Sequence, residues 1–213
     1  MTTTIKHIVL FSCCLLATVY LQAQHTDGAA WLYTGVNAEV AKDLDAEAGQ
    51  EIRYNVSVSD LYQWNSHASL TYKFTKKIKV SGDYRYSVRS SGNTHRVGVG
   101  IGLREGFGDL DLAYRSKIQY STAADGNEGS VWRNKGTVSY TLNKDWETYG
   151  SGELFYNLSN EGNALNGFRS EIGIDYSPNK HHDITASWIY DMEFQVSFPL
   201  KLHVLNLSYI YNW

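Results

Sequence analysis

Residues 82–89, GDYRYSVR, alternate charged or polar side chains with Tyr84, Tyr86 and Val88. Successive side chains of a β-strand point to opposite faces, so this alternation predicts a strand with one polar and one apolar face. Such a strand suits the surface of a soluble β-sandwich. It equally suits the wall of a transmembrane barrel, where the apolar face contacts lipid and the polar face lines the lumen. One strand does not distinguish the two architectures.

The N-terminus has the composition of an export signal. Lys6 and His7 precede the apolar run IVLFSCCLLATVYL, and the small-residue site LQAQ follows it. That run is shorter than the roughly 20 residues that a transmembrane helix needs. We therefore predict a signal peptide over residues 1–23, cleaved after Ala23, and a single barrel domain over residues 24–213. A retained anchor and a lipoprotein modified at Cys13 are weaker alternatives.

The remaining chain of this 213-residue protein has no helical periodicity of any length, and alternation of period two recurs instead. Turn signals separate eleven candidate strands whose spacing indicates an antiparallel meander. Their predicted ranges are 30–40, 46–58, 63–74, 78–89, 95–104, 109–120, 131–142, 146–158, 167–176, 183–192 and 201–213.

The predicted connections alternate between short and long. Short turns at 42–43, 75–77, 105–108, 143–145 and 177–182 alternate with the longer SDLYQ, SSGNT, STAADGNEGS, SNEGNALN and EFQVSFPL. Outer-membrane barrels sort their connections in this way, with short turns in the periplasm and long loops outside the cell. We therefore expect the segments 121–130 and 159–166 to be extracellular.

Charges segregate to one face of the predicted strands. The polar face carries the cations Arg53, Lys73, Lys79, Arg85, Arg89, Arg96, Arg104, Arg115, Lys117, Arg133, Lys135 and Arg169. It also carries the acids Glu47, Glu51, Asp83, Asp109, Asp111, Glu147, Glu153, Glu171, Asp175, Asp183 and Asp191. No charge falls mid-strand on the apolar face, as lipid requires, because a cation at the bilayer midplane costs about 2 to 4 kcal/mol.

A sandwich with packed apolar faces would share this segregation, but the aromatic residues favour a barrel. They form two girdles, as at the two interfaces of a bilayer. Near the long loops lie Trp64, Tyr120, Trp132, Tyr156 and Phe168, and near the short turns lie Tyr72, Phe74, Tyr140, Trp146, Tyr176 and Trp213. The sequence thus predicts an all-β fold, an antiparallel up-and-down transmembrane β-barrel of 10–12 strands.

The chain ends LNLSYIYNW, with an aromatic final residue, which resembles the C-terminal insertion signal of bacterial outer-membrane barrels. Further stretches follow in order: WLYTGVNAEV, EAGQEIRY, LTYKFTKKIKVSGDYRYSVR, HRVGVGIGLRE and LAYRSKIQY. Together they resemble the outer-membrane barrel family catalogued as domain of unknown function 2490. The resemblance implies a barrel in the outer membrane of a Gram-negative bacterium. It implies no activity and no functional residues.

The count of eleven conflicts with the even strand number usual in single-chain bacterial barrels. Either residues 25–44 are not a full wall strand, which leaves ten, or one strand is missed, which gives twelve.

The polar face is the place to seek a function. Its cations and acids nearly balance, so no net field selects a solute by charge. We expect a charge ladder in the lumen, built from Glu51, Arg53, Arg85, Arg104, Arg115, Arg133, Glu153, Arg169 and Glu171. The ladder serves either a filled structural barrel or a narrow passive channel whose arginines contact anionic solutes. Gly98, Gly100 and Gly102 leave space for a pore or for a neighbouring arginine.

A lipid-hydrolysing enzyme is the alternative function. His67 and Ser69 share the polar face, about 6 to 7 Å apart along the strand. No catalytic set, cofactor or metal site is predicted, since the neighbouring His181 and His182 do not converge on one ion. The formal net charge of −3 and pI near 6.1 give no indication of nucleic-acid binding. The expected partners are outer-membrane lipid and the outer-membrane insertion machinery, and any solute is unknown.

Overall fold

The computed structural model describes residues 26–56, 59–123, 128–158, 164–194 and 200–213. In these residues the fold is all-β, as predicted, and has eleven strands. They are β1 (Thr26–Ala41), β2 (Leu44–Asn55), β3 (Asp60–Lys73), β4 (Ile78–Arg89), β5 (Thr94–Phe107), β6 (Leu110–Ala123), β7 (Glu128–Thr141), β8 (Trp146–Leu158), β9 (Ala164–Asn179), β10 (His182–Glu193) and β11 (Lys201–Asn212).

The strands form one closed barrel in chain order. Each strand pairs antiparallel with the next, and β1 closes the barrel against β11 in a parallel pair that runs from Thr26↔Lys201 to Asn37↔Asn212. The predicted range of 10–12 strands is confirmed, but the expectation of an even number, ten or twelve, is wrong for the described residues. β1 is a full wall strand of 16 residues, and the count stays at eleven. Strand directions alternate around a meander, so an odd number can close only through one parallel pair.

The two faces of the wall are sorted as a membrane barrel requires. Outward apolar side chains are exposed, for example Val99 at 66 % and Leu205 at 70 %, whereas the inward Asn65 and Glu153 are buried at 0 % and 3 %. A soluble sandwich would bury its apolar set between two sheets. The sandwich is thus excluded, and the aromatic residues of both predicted girdles lie on the outward face wherever they are described.

Strand lengths exceed the predictions at the long-loop end. β6 continues to Ala123 and β7 begins at Glu128, so most of the predicted loop 121–130 is strand. Its remainder, 124–127, and residues 159–163 of the second loop lie outside the described residues, as does the predicted signal peptide. The described part of the chain contains no helix long and apolar enough to cross a membrane.

Candidate lumenal channel

Cations and acids in the lumen lie on different groups of strands. A count of charges over the whole polar face does not show this division. The cationic wall is the set of lumenal Lys and Arg on β3 to β7: Lys73, Lys79, Arg85, Arg89, Arg96, Arg104, Arg115, Lys117, Arg133 and Lys135. The acidic wall is the set of lumenal carboxylates on β2 and β8 to β10 that includes Asp45, Glu47, Glu51, Glu147, Glu153, Glu171, Asp175, Asp183 and Asp191. Exceptions are Asp83 and Asp111 among the cations, and Arg53 and Arg169 among the acids. The balanced total therefore hides a field across the lumen.

Like charges lie directly opposite each other along the cationic wall. The Cα partners across adjacent strands include Lys73↔Lys79, Arg85↔Arg96, Arg115↔Lys135 and Lys117↔Arg133. Like charges in directly opposed positions destabilise a sheet. The compensating carboxylates lie on adjacent strands, as in Arg133–Glu153 and Lys73–Asp45, or one strand further along the wall, as in Arg115–Glu153.

Glu153 is the main acidic partner of this wall. Arg115 Nη2 donates to its Oε1 at 2.9 Å, while Arg133 donates from Nε to Oε1 at 3.0 Å and from Nη2 to Oε2 at 2.6 Å. A buried carboxylate that receives three charge-assisted hydrogen bonds is firmly held. Arg133 also donates to Gln119 at 3.1 Å, which ties β6, β7 and β8 together inside the barrel.

Glu51 organises a second cluster on the opposite side. Its Oε1 accepts from Arg53 Nε at 2.7 Å and from Asn65 Nδ2 at 2.5 Å, and Arg85 Nη1 lies 3.9 Å away. Gln63 donates to Asn65 at 2.5 Å. The cluster is a continuous polar network in which the carboxylate is shared by two guanidinium groups.

Trp31 lies between these clusters, inside the barrel and only 4 % exposed. Arg53 Cζ is 3.8 Å from its ring centroid and Arg169 Cζ is 5.2 Å away, while its Nε1 donates to Tyr62 OH at 2.8 Å. Arg169 Cζ is also 5.3 Å from the Phe155 ring. Guanidinium groups at these distances are attracted to the ring faces. The aromatic and arginine side chains thus stack across the lumen.

Together these groups form a packed layer in the half of the lumen nearer the long loops. We call it the buried layer, and its polar members Gln63, Asn65, Ser87, Gln119 and Glu153 are each no more than 6 % exposed. Side chains fill the interior at this depth, as in other narrow barrels.

The other half, nearer the short turns, is open. A cavity of about 570 Å³ there is lined by Asp145, Glu147, Asp175 and Asp183 together with Arg104 and Lys144. A second cavity, of about 460 Å³, lies against the cationic wall. The separation of charge between the two walls continues in this half.

The inward glycines of β5 make room for a cation, as expected, but it is a lysine. A Cβ at Gly98 would lie 2.6 Å from Lys117 Cε and 2.7 Å from Asp83 Oδ1. Lys117 occupies this space and pairs with Asp83. Gly102 is different, because its nearest neighbour would be a backbone oxygen at 3.9 Å, and it borders the second cavity.

The structure places the nine residues of the predicted charge ladder in several groups. Glu51, Arg53 and Arg85 form one cluster, and Arg115, Arg133 and Glu153 form another. Three members pair separately, through Arg169–Asp191, Lys135–Glu171 and Arg104–Asp111.

Several lumenal residues escaped the sequence reasoning. Trp31 and Tyr33 on β1 and Phe155 and Tyr149 on β8 are inward aromatic residues, and Tyr149 donates to Glu171 at 2.7 Å. The inward position of Trp31 could have been predicted from the alternation of β1, because its neighbour Leu32 shares the outward face with Val36. The division into two walls was also readable, by assigning each charge to its strand.

The geometry gives no hydrolytic site at His67 and Ser69. His67 Nδ1 is 3.9 Å from Glu47 Oε1, and no hydrogen bond joins His67 to Ser69 in the described residues. His181 and His182 contact different groups, the Asn212 carbonyl and the Tyr209 hydroxyl, each at 2.8 Å. Among the described residues, no group of three or more His, Cys, Asp or Glu is placed to hold a metal ion.

Comparison with known proteins identifies the family. A family model described as "Protein of unknown function (DUF2490)" matches residues 28–199. The chain belongs to the DUF2490 family. The resemblance seen in the sequence is thereby confirmed. No curated protein matches this DUF2490 chain in sequence.

Solved structures resemble the DUF2490 barrel in fold. A bacterial polysaccharide outer membrane secretin matches with a TM-score of 0.54 and 12 % identity over 78 % of this chain and 63 % of its own, so this chain spans less than two thirds of it. The KdgM porin gives 0.48 and 15 % identity, covering 74 % of this chain and 81 % of its own. The NanC porin gives 0.44 and 12 % identity, covering 75 % and 86 %. At these identities the likeness extends to the fold alone.

Proposed function

We propose that the protein is a narrow passive channel of the bacterial outer membrane that favours small anions. The cationic wall carries the proposal, because it continues from the long-loop half of the lumen to the short turns. Rings and rows of charged side chains select ions of opposite sign in pores.

Part of this wall has no carboxylate partner. Lys79, Arg89 and Arg96 form no ion pair in the described residues, and Arg96 donates only to the hydroxyl of Ser121, at 3.2 Å. The residue directly opposite Arg96 on β4 is Arg85, which is also a cation. Uncompensated charge away from bulk water is costly, and positions that break a local stability rule are often functional. Unpaired arginines facing a lumen are suited to an anion in transit.

A closed structural barrel is the second candidate, and the buried layer favours it. Trp31 and the polar residues around it are buried inside the barrel at this depth. Conduction requires the layer to shift, whereas a structural barrel keeps it closed. Single-channel recording separates the two.

Replacing Trp31 by alanine should increase the conductance of the refolded protein in planar bilayers. The change removes the buried ring that lies between Arg53 and Arg169 inside the barrel. Truncating a buried tryptophan costs about 3 to 5 kcal/mol, so folding must be scored by heat-modifiable gel mobility, with Trp31→Leu as a milder variant.

The matched control is Trp132→Ala, because Trp132 faces lipid and is 40 % exposed. It should leave the conductance unchanged. Absence of discrete steps in the wild type and in both folded Trp31 variants would instead establish a closed structural barrel.

Orientation is part of the proposal, with the short turns in the periplasm and the long loops outside the cell. Ser91 lies in the β4–β5 connection and Lys76 in the β3–β4 turn, both exposed. On intact cells, a membrane-impermeant thiol reagent should label Ser91→Cys, whereas Lys76→Cys should require rupture of the outer membrane. The reverse pattern would invert the barrel.

A further inference from the structure

The second cavity in the turn half of the lumen has a cationic lining, of which Arg115 alone also contacts the buried layer among the described residues. Its volume is about 460 Å³, and its charged lining residues are Lys77, Lys79, Arg104, Arg115 and Lys135. No carboxylate contributes to the lining. A cavity of this size accepts a small organic molecule.

Lys77 and Lys135 pair with Glu105 and Glu171, and the other three lining cations have N–H groups left for a ligand. Arg104 uses Nε and Nη2 on Asp111, at 3.2 and 2.7 Å. Arg115 uses Nη2 on Glu153, and its Nε is buried without a hydrogen-bond partner. Lys79 has no ion pair in the described residues and lies opposite Lys73. A guanidinium group has five N–H donors, so both arginines can bind a second acceptor.

The uncharged part of the lining supplies space and further hydrogen-bonding groups. Gly102 and Ala113 are small, and Thr71, Ser81 and Thr137 carry hydroxyls. Arg104 is 51 % exposed at the side chain, so the cavity communicates with the turn end of the barrel. Hydroxyls beside convergent cations form a site for an oxyanion, since arginine and lysine both bind phosphate well.

From this lining we infer that the cavity is a binding site for a phosphate group, either free or carried on a small solute. The site deepens the proposed function, on which it rests for its place in a permeation path. Its chemistry depends only on the lining residues. Among the lining cations only Lys79 lacks a carboxylate partner in the described residues, and a bound anion would supply its counter-charge.

The test measures equilibrium binding to the refolded protein in detergent at fixed ionic strength, by calorimetric titration. The probes are inorganic phosphate, glucose 6-phosphate and glucose. Saturable binding of inorganic phosphate indicates a free anion as ligand, and binding of glucose 6-phosphate alone indicates a phosphate carried on a solute. Binding of neither phosphate compound, or of glucose equally well, overturns the site.

Two variants locate the site. Lys79→Met should weaken phosphate binding about tenfold, since a hydrogen bond to a charged group contributes that much. Ser81→Glu should abolish binding by placing a carboxylate among the cations, whereas the isosteric Ser81→Gln should preserve it. The control Lys144→Met removes a cation from the other cavity, of about 570 Å³, and should leave phosphate binding unchanged. If Ser81→Glu and Lys79→Met bind phosphate as the wild type does, the cavity is not the site.

The experiments can contradict the proposed binding site and the proposed channel independently. Phosphate binding by a protein that gives no conductance supports the binding site and contradicts the channel. Anion conduction without saturable phosphate binding supports the channel and contradicts the binding site.

Discussion

Val99→Arg is expected to fold into lipid vesicles less favourably than the wild type by about 2 to 4 kcal/mol. Val99 is near the middle of β5 and its side chain is 66 % exposed on the outward face. A guanidinium at that depth faces hydrocarbon with no carboxylate beside it. The measurement is denaturant-dependent refolding into vesicles, scored by heat-modifiable gel mobility.

Two controls separate lipid exposure from size and charge. Val99→Leu keeps the apolar surface and should fold as the wild type does. Thr185→Arg adds the same charge on the lumenal face, where Asp175 and Asp183 line the neighbouring cavity, and should be tolerated better. Equal folding of Val99→Arg and the wild type would show that β5 does not face lipid.

Glu153→Ala is expected to destabilise the barrel by about 3 to 5 kcal/mol, because it leaves two guanidinium groups without their carboxylate in a buried site. Glu153 is 3 % exposed and accepts hydrogen bonds from Arg115 and Arg133. Glu153→Gln keeps the volume and some hydrogen bonds, so its cost should be smaller. The same refolding assay measures both.

Glu105→Ala is the matched control, because Glu105 also pairs with a cation, Lys77, but at the exposed turn rim. Exposed ion pairs contribute about 0 to 1 kcal/mol, so this variant should fold nearly as well as the wild type. Equal costs for Glu153→Ala and Glu105→Ala would show that the buried layer contributes no special stability.

The wall of the barrel was predictable from the sequence because its pattern is local. Alternation in GDYRYSVR and its counterparts assigns each side chain to lipid or lumen, and the eleven predicted strands correspond one to one with β1 to β11. The closure was not predictable in the same way. The parallel pairing of Thr26–Asn37 with Lys201–Asn212 joins the two ends of the chain, and no local pattern records it.

The interior was only partly predictable. Inward residues could be identified, but their partners depend on how the strands stagger around the barrel. Glu153 thus meets Arg115 across an intervening strand, and Trp31 meets Arg169 across the lumen. The opposition of Arg85 to Arg96 required the register of β4 and β5. Long-range geometry therefore determines which lumenal charges pair and how they divide between the two walls and the buried layer.

The most direct test of the proposed function is the sign of the reversal potential across a planar bilayer with a KCl gradient. The folded Trp31→Ala barrel is measured beside the wild type, so that a closed lumen does not hide the selectivity. The cationic wall predicts a reversal potential displaced toward that of chloride, and a smaller displacement in the double variant Arg85→Ser, Arg96→Ser. A reversal potential displaced toward that of potassium would contradict the account.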